Sequence, residues 1–205
     1  LQPLASSHAV LTDDEKELGV CMVDIGGGTT DIAVFTQGAI RHTAVIPVAG
    51  DQITNDIAMA LRTPTAEAEE IKIRIGSAYP LEEETTLDVK GRDVLAGLPK
   101  TISVTSEEIR EALSEPLSAI LEAVRIALER TPPELSADLI DRGLILAGGG
   151  SLLRGLDKLI SEETGLPVHI ADDPLTAVAL GTGRYLSDFH LLKRLSVNSN
   201  ASREY

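Results

Sequence analysis

The sequence predicts an α/β protein of two subdomains, one continuous and one assembled from both ends of the chain. Three observations point there. An unbroken apolar run, "VCMVDI" (20–25), leads into two further strand-like stretches, the pattern of a β-meander. A mostly helical stretch spans about 51–137. The chain then reads strand, helix, strand, helix through 138–187, opening on a second apolar run, "LILA". Strands on both sides of an insertion complete one sheet between them. The expected parts are therefore 17–50 with 138–187 as one subdomain and 51–137 as the smaller α/β subdomain inserted into it. Residues 1–16 read as an N-terminal remnant and linker, and 188–205 as a helix end and disordered tail.

Each element has its local reason. "LQPLASSHAV" reads as a short helix remnant, and "LTDDEKE" as a polar, acidic loop. After Gly19 comes the buried strand, then "TDIAVFTQGAIRHTAVIPV", two strands joined at Gln37-Gly38. "GDQITNDIAMAL" places Ile53, Ile57 and Leu61 four apart on one helical face. Pro64 and Thr65 open a second helix through "AEAEEIKIRIG", which Gly76 closes. Residues 80–104 are short and β-like, with Gly91 and Gly97 as turn points. "TSEE" (105–108) is a capping box, Thr105 with Glu108, and starts the next helix. Pro116 restarts it at a first-turn position, Leu117, Ile120, Leu121, Val124 and Leu128 keep one apolar face, and Pro132-Pro133 ends it. "GLILAGGGSLLRGLDKLI" is a buried strand running into three glycines and an amphipathic helix. "PVHI" is a short strand. "DDPLTAVALGTGRYL" is a last helix, capped by Asp172 or Asp173 with Pro174 at its start.

Composition narrows the function. A formal charge of −14 argues against an electrostatic grip on nucleic acid or an anionic membrane. The one cysteine, Cys21, sits in the apolar strand and reads as a small core residue, which fits a reducing, cytoplasmic setting. No apolar run reaches the roughly 18 residues of a membrane span, and no signal peptide is visible. His8, His42, His169 and His190 are scattered without ligand spacing, so no zinc site is expected.

The glycine runs carry the chemistry. Phosphates need inward-pointing N–H groups and no bulk beside them, and glycine supplies both. Gly26, Gly27 and Gly28 fit that need, with Thr29 and Thr30 adding hydroxyls. Asp24 ends the buried strand, where a carboxylate suits the waters of a Mg²⁺ that neutralises phosphates. A tight hairpin with an exposed Asp is the rival reading. Gly148, Gly149, Gly150 and Ser151 form a second such loop between a strand and a helix N-terminus, a place that favours anions. Two glycine loops at strand ends exceed ordinary turn chemistry. Neither a GxxxxGKS loop nor a GxGxxG with a ribose-binding acid is present.

"VDIGGGTTDIAVF" resembles the second phosphate motif of the actin-like ATPase superfamily, and "LILAGGGSLLRGL" resembles its adenosine motif. Their order and separation also fit. Nearly the whole chain is covered, but only as the C-terminal half of a family member: the first phosphate loop has no counterpart. Residues 1–70 resemble the division protein FtsA, and from about 71 to 190 the chain resembles the cell-shape protein MreB, with the change falling in "AEAEEIKIRIG". A chimera and a natural intermediate both account for that switch.

The resemblance implies an RNase H-like subdomain with a smaller α/β subdomain inserted, the second lobe of an actin-like fold. It implies ATP and Mg²⁺ as cofactors: Gly26, Gly27, Gly28 and Thr29 on the β/γ-phosphates, Asp24 on Mg²⁺-bound water, and Thr30 near the attacking water. Glu69, Glu70 and Lys72 match the "EEIK" segment that meets ribose and base, and Gly148 to Ser151 would cradle the adenosine. Without the family, Glu69, Glu70 and Lys72 read as a solvated helix face with an i,i+3 ion pair. The implied role is in cell-division or cell-shape filaments, built by self-association. The alternative is a non-catalytic interaction module that binds FtsZ or a cell-wall elongation protein. "YLSDFHLLKRL", with Leu186, Phe189, Leu192 and Lys193, reads as the end of the last helix, so no membrane contact is expected from this chain.

Overall fold

The computed structural model describes residues 2–92, 99–131 and 139–187. The expectations for Gly97, Pro132-Pro133, Phe189, His190, Leu192, Lys193 and the 188–205 tail lie outside the described residues.

The chain opens with helix α1 (Gln2–Val10) and a short helix α2 (Asp13–Leu18), then strands β1 (Val20–Ile25), β2 (Thr30–Thr36) and β3 (Ala39–Ile46). The stretch expected as an acidic loop is therefore a helix. Thr12 accepts from the Glu15 amide while the Glu15 carboxylate receives the Thr12 N–H, a reciprocal cap that ties off the first turn. Asp13, Asp14 and Glu15 also lie at the positive end of the helix dipole. The acidity that suggested a loop is what favours the helix start. Thr12→Ala should lower stability by about 1 kcal/mol, read as a shift in the urea midpoint.

Helices α3 (Gly50–Leu61) and α4 (Thr65–Ile75) follow, then the hairpin β4 (Thr86–Arg92) and β5 (Pro99–Thr105). Gly91 is not a turn residue: it pairs with Lys100 inside that hairpin. Helix α5 (Ser106–Ala112) carries the expected Thr105–Glu108 capping box, and α6 (Ser114–Glu129) begins two residues before Pro116. Strand β6 (Leu144–Ala147), a 3₁₀ turn (Gly149–Leu152), helix α7 (Leu156–Thr164), strand β7 (Val168–Ile170) and helix α8 (Ala177–Ser187) complete the described chain. Helix α8 starts three residues after Pro174. The Asp173 carboxylate accepts instead from Thr176 Oγ1 in the turn before it (2.6 Å).

One sheet runs β3-β2-β1-β6-β7, antiparallel within the meander and parallel from β1 outward. Gln37 and Gly38 both adopt positive φ (50° and 68°), as a two-residue hairpin turn requires. One face packs Cys21, Val23, Ile25, Ile32 and Val34 into a core that continues through α3 to α7 and the β4–β5 hairpin. The other face packs Val20, Met22, Ala33, Phe35 and Ile145 beneath Leu11. Helix α1 lies against α8, with Gly181 so close to Ala5 that a Cβ there would overlap its carbonyl oxygen at 1.7 Å. The segment expected as a remnant is thus a packed part of the fold.

The β1–β6 register matters most for the site. Cys21 pairs with Leu144 and Asp24 with Ala147, so the two parallel strands end level. Both glycine loops therefore leave the same edge of the sheet, side by side. That edge is where parallel strands place ligands.

Candidate functional site

At this edge lies a cavity of about 420 Å³, a size that suits a small ligand. Gly26 and Gly27 line it from the first loop, and Gly149 and Gly150 from the second. Gly50 and Asp51 come from the start of α3, and Glu69, Lys72 and Ile73 from α4. Ile73, Leu152 and Leu175 supply an apolar rim.

The first loop is anchored by its own backbone. The Gly26 N–H donates to the Thr29 carbonyl (2.9 Å), so that amide closes the turn and does not face the cavity. The Gly26 and Gly27 carbonyls accept from the Gly50 and Asp51 amides (3.0 and 2.8 Å), which pins the loop to the N-terminus of α3. A Cβ on Gly27 would come within 3.1 Å of the Asp51 carboxylate, while Gly28 faces open space. Thr29 Oγ1 donates to Asp31 (3.0 Å).

The second loop is wedged against the first. Gly148 has φ of 79°, and a Cβ there would sit 2.3 Å from the Ile25 carbonyl oxygen and 2.5 Å from Asp24 Oδ1. Its amide donates to the Pro174 carbonyl (2.9 Å). Ser151 is fully buried, and its hydroxyl donates to the Gly148 carbonyl (2.7 Å), fastening the 3₁₀ turn. Gly148 and Ser151 therefore shape the loop, and Gly149 and Gly150 present it to the cavity.

Asp24 and Thr30 do not line the cavity. Thr30 is fully buried and donates to the Val48 carbonyl (2.7 Å). Asp24 is 1% exposed and accepts from Ser6 Oγ on α1. Directly across the β1–β2 pair stands Asp31, itself buried. Burial raises the Asp24 carboxyl above its usual range; the Ser6 hydrogen bond opposes this, and the Asp31 charge adds to it.

Lys72 is the hub of the opposite wall. Its ammonium reaches Glu69 (2.7 Å), Thr54 Oγ1 (2.8 Å) and the Gly50 carbonyl (3.2 Å), tying α4 to the start of α3. Thr54 Oγ1 also bonds Glu69. Desolvation pushes the Glu69 carboxyl up, but the hydrogen bonds from Lys72 and Thr54 outweigh it and hold the group below its usual range. Glu70 points elsewhere, with Arg74 as its partner (3.6 Å) and both side chains largely exposed.

The cavity thus gathers Gly26, Gly27, Glu69, Lys72, Gly149 and Gly150 from the sequence expectations. Thr29 and Gly28 stand at the loop tip, Asp24 and Thr30 lie behind it, and Glu70 stays outside. Sequence reasoning missed Gly50, Asp51, Thr54 and Arg154. A Gly-Asp pair at a helix start was the available signal for the first two. Arg154 gave none: its guanidinium donates to the Arg74 carbonyl at the end of α4, a contact 80 residues apart in sequence.

Comparison with known proteins gives this geometry its relatives. The family model described as "MreB/Mbl protein" matches residues 11–194. Cell shape-determining protein Mbl of Bacillus cereus is 48% identical over 182 residues, which cover 86% of this chain and 55% of Mbl. Cell division protein FtsA of Pseudomonas aeruginosa is 50% identical over 181 residues, 83% of this chain and 40% of FtsA. MreB 5 of Spiroplasma citri bound to AMPPNP superposes with a TM-score of 0.86 at 34% identity, over 97% of this chain and 60% of that one. The chain spans about half the length of the curated relatives it matches. The resemblance to the actin-like superfamily, with both FtsA and MreB in it, is borne out, and the family match and the FtsA and Mbl likenesses each extend over most of the chain, across residue 71. With most of its length matched by that model and nearly half of its aligned residues shared with Mbl, the chain belongs to the MreB/Mbl family of actin-like proteins.

Proposed function

We propose that the chain is the second, nucleotide-binding lobe of a bacterial actin-like cytoskeletal ATPase, and that the cavity between its glycine loops receives ATP. The level ends of β1 and β6 carry this reading, because they set two bare glycine backbones side by side opposite a partly buried lysine, Lys72. The phosphates would lie along Gly26–Gly28 and Thr29. The ribose and base would lie along Glu69, Lys72, Gly149 and Gly150, with Ile73, Leu152 and Leu175 against the base. In the family, the AMPPNP held by the Spiroplasma citri protein agrees with such a ligand.

Among the described residues no group of three or more His, Cys, Asp or Glu could hold a metal ion. Asp24, 1% exposed with Oδ1 against Gly148, stands behind the cavity wall and does not fit contact with a Mg²⁺-bound water in this arrangement. Thr30, with its hydroxyl held by Val48, would act on an attacking water only through the backbone it steadies.

Hydrolysis needs donors on both sides of the transferring phosphoryl group, and the described residues form one side. The chain by itself should bind ATP weakly and turn over negligibly. Calorimetry with AMPPNP and a phosphate-release assay test this. Turnover at the rate of a whole actin-like protein, abolished by Asp24→Ala, would overturn the half-site reading.

The role of the complete protein follows the names of the relatives, cell shape or cell division, through self-association into filaments in the bacterial cytoplasm. FtsZ or a wall-elongation protein is the partner this reading would add. No helix among the described residues is long and apolar enough to cross a membrane.

A further inference from the structure

The polar side chains on the α4 wall of the cavity are mostly spent on one another. Lys72 has three ammonium protons and three acceptors in reach: Glu69 Oε2 (2.7 Å), Thr54 Oγ1 (2.8 Å) and the Gly50 carbonyl (3.2 Å). The lysine lines the cavity, yet it can bond a ligand only by giving up one of these partners. Thr54, 3% exposed, stands behind it. Its hydroxyl accepts from Lys72 and bonds Glu69 Oε2, with the Gly50 carbonyl also in range (2.9 Å). Both bonds to the Glu69 carboxylate therefore fall on the same oxygen. Oε1 receives none from the described residues, and Glu69 lines the cavity with its side chain 46% exposed. Desolvation pushes this carboxyl up, but the Lys72 and Thr54 bonds outweigh it, so the group is ionised at neutral pH. The side chains of this wall thus offer a ligand one acceptor and no uncommitted donor. A sugar hydroxyl can donate to that acceptor, whereas an ionised phosphate oxygen cannot and is repelled.

We infer that Thr54 is a positioning residue for the sugar end of the nucleotide site. It holds Glu69 Oε2 and one Lys72 proton behind the wall, which leaves Glu69 Oε1 to accept from a ribose hydroxyl. This rests on the nucleotide reading above and adds to it the support that selects ribose. Thr54 itself touches no ligand and acts only through Glu69 and Lys72. The Gly50 amide meanwhile donates to the Gly26 carbonyl (3.0 Å), so the sugar wall and the first glycine loop share one anchor at the start of α3.

The test is affinity by calorimetry for ATP and for its dideoxy analogue, which keeps base and phosphates but lacks both ribose hydroxyls. The proteins are the wild-type chain, Thr54→Val, which keeps the shape without the hydroxyl, and Thr54→Ser, which keeps the hydroxyl. Thermal melts of all three check the fold, and Thr54→Ala replaces the valine variant if that one unfolds. Wild type should prefer ATP by about tenfold. Thr54→Val should reduce that preference to about twofold while affinity for the dideoxy analogue stays within about twofold of wild type, and Thr54→Ser should retain the preference. An unchanged preference in Thr54→Val, or equal losses for both nucleotides, would overturn the inference and leave the nucleotide site standing. Equal binding of the two nucleotides by wild type would also overturn it. No binding of either by wild type would instead sink the nucleotide reading, and this inference with it.

Discussion

Gly148→Ala should destabilise the chain by about 3 kcal/mol or more and remove nucleotide binding together with the loss of fold. Two costs coincide at this position. The backbone stands at φ 79°, a region that L side chains rarely adopt. The added methyl would also meet the Ile25 carbonyl oxygen at 2.3 Å and Asp24 Oδ1 at 2.5 Å, and the first of these is backbone that cannot swing aside. Relief would have to come from β6 drawing away from β1, which breaks the pairing that sets both loops level. Urea denaturation gives the stability change directly. A variant within about 1 kcal/mol of wild type would show that the loops tolerate separation. Gly28→Ala is the matched control, since a Cβ there meets nothing within 4 Å.

Lys72→Met should weaken ATP binding by about tenfold or more and cost about 1–2 kcal/mol of stability. The methionine keeps the aliphatic bulk but loses the ammonium that joins Glu69, Thr54 and the Gly50 carbonyl. Glu69 then keeps only the Thr54 hydroxyl while still half-buried. The linkage sign follows from its depressed carboxyl: the pair contributes stability above the ordinary value of 4.5, and this is lost as pH falls below it. Because the Glu69 side chain is 46% exposed, solvent screening keeps that contribution small. The Lys72→Met variant should therefore show a flatter stability profile across that acid range. Unchanged ATP affinity would place the ligand away from α4.

Much of this molecule was legible in its residues, and the failures have physical causes. The capping box at Thr105 and the turn at Gln37-Gly38 were read correctly because local chemistry decides them. The α2 helix was missed for its charge, although that charge sits at the end of the helix that welcomes it. Gly91 read as a turn because glycine usually punctuates. Here it lies in a strand, where a Cβ would meet the Ile102 side chain at 2.6 Å. The ion pair of Glu69 and Lys72 was visible as an i,i+3 spacing, but spacing cannot distinguish a solvated pair from one bonded to the start of a neighbouring helix. Glu70 has a comparable i,i+4 pairing with Arg74 and remains at the surface.

The sequence by itself determined most of the element types, though not α2 or the strand at Gly91, together with the two glycine loops and the family, because strand patterning, bare backbone and motif spacing are properties of a few neighbouring residues. The tertiary structure alone decided which of those residues meet the cavity. It turned Gly148, Ser151 and Thr30 inward as supports, brought Asp51 and Arg154 to the walls, put Thr54 behind Lys72, and set Ser6 behind Asp24. The reason is geometric. A hydroxyl or carboxylate has the same chemistry wherever it stands, and only the parallel register of β1 with β6 and the packing of α1 on α8 settle whether its partner is a ligand or the protein itself.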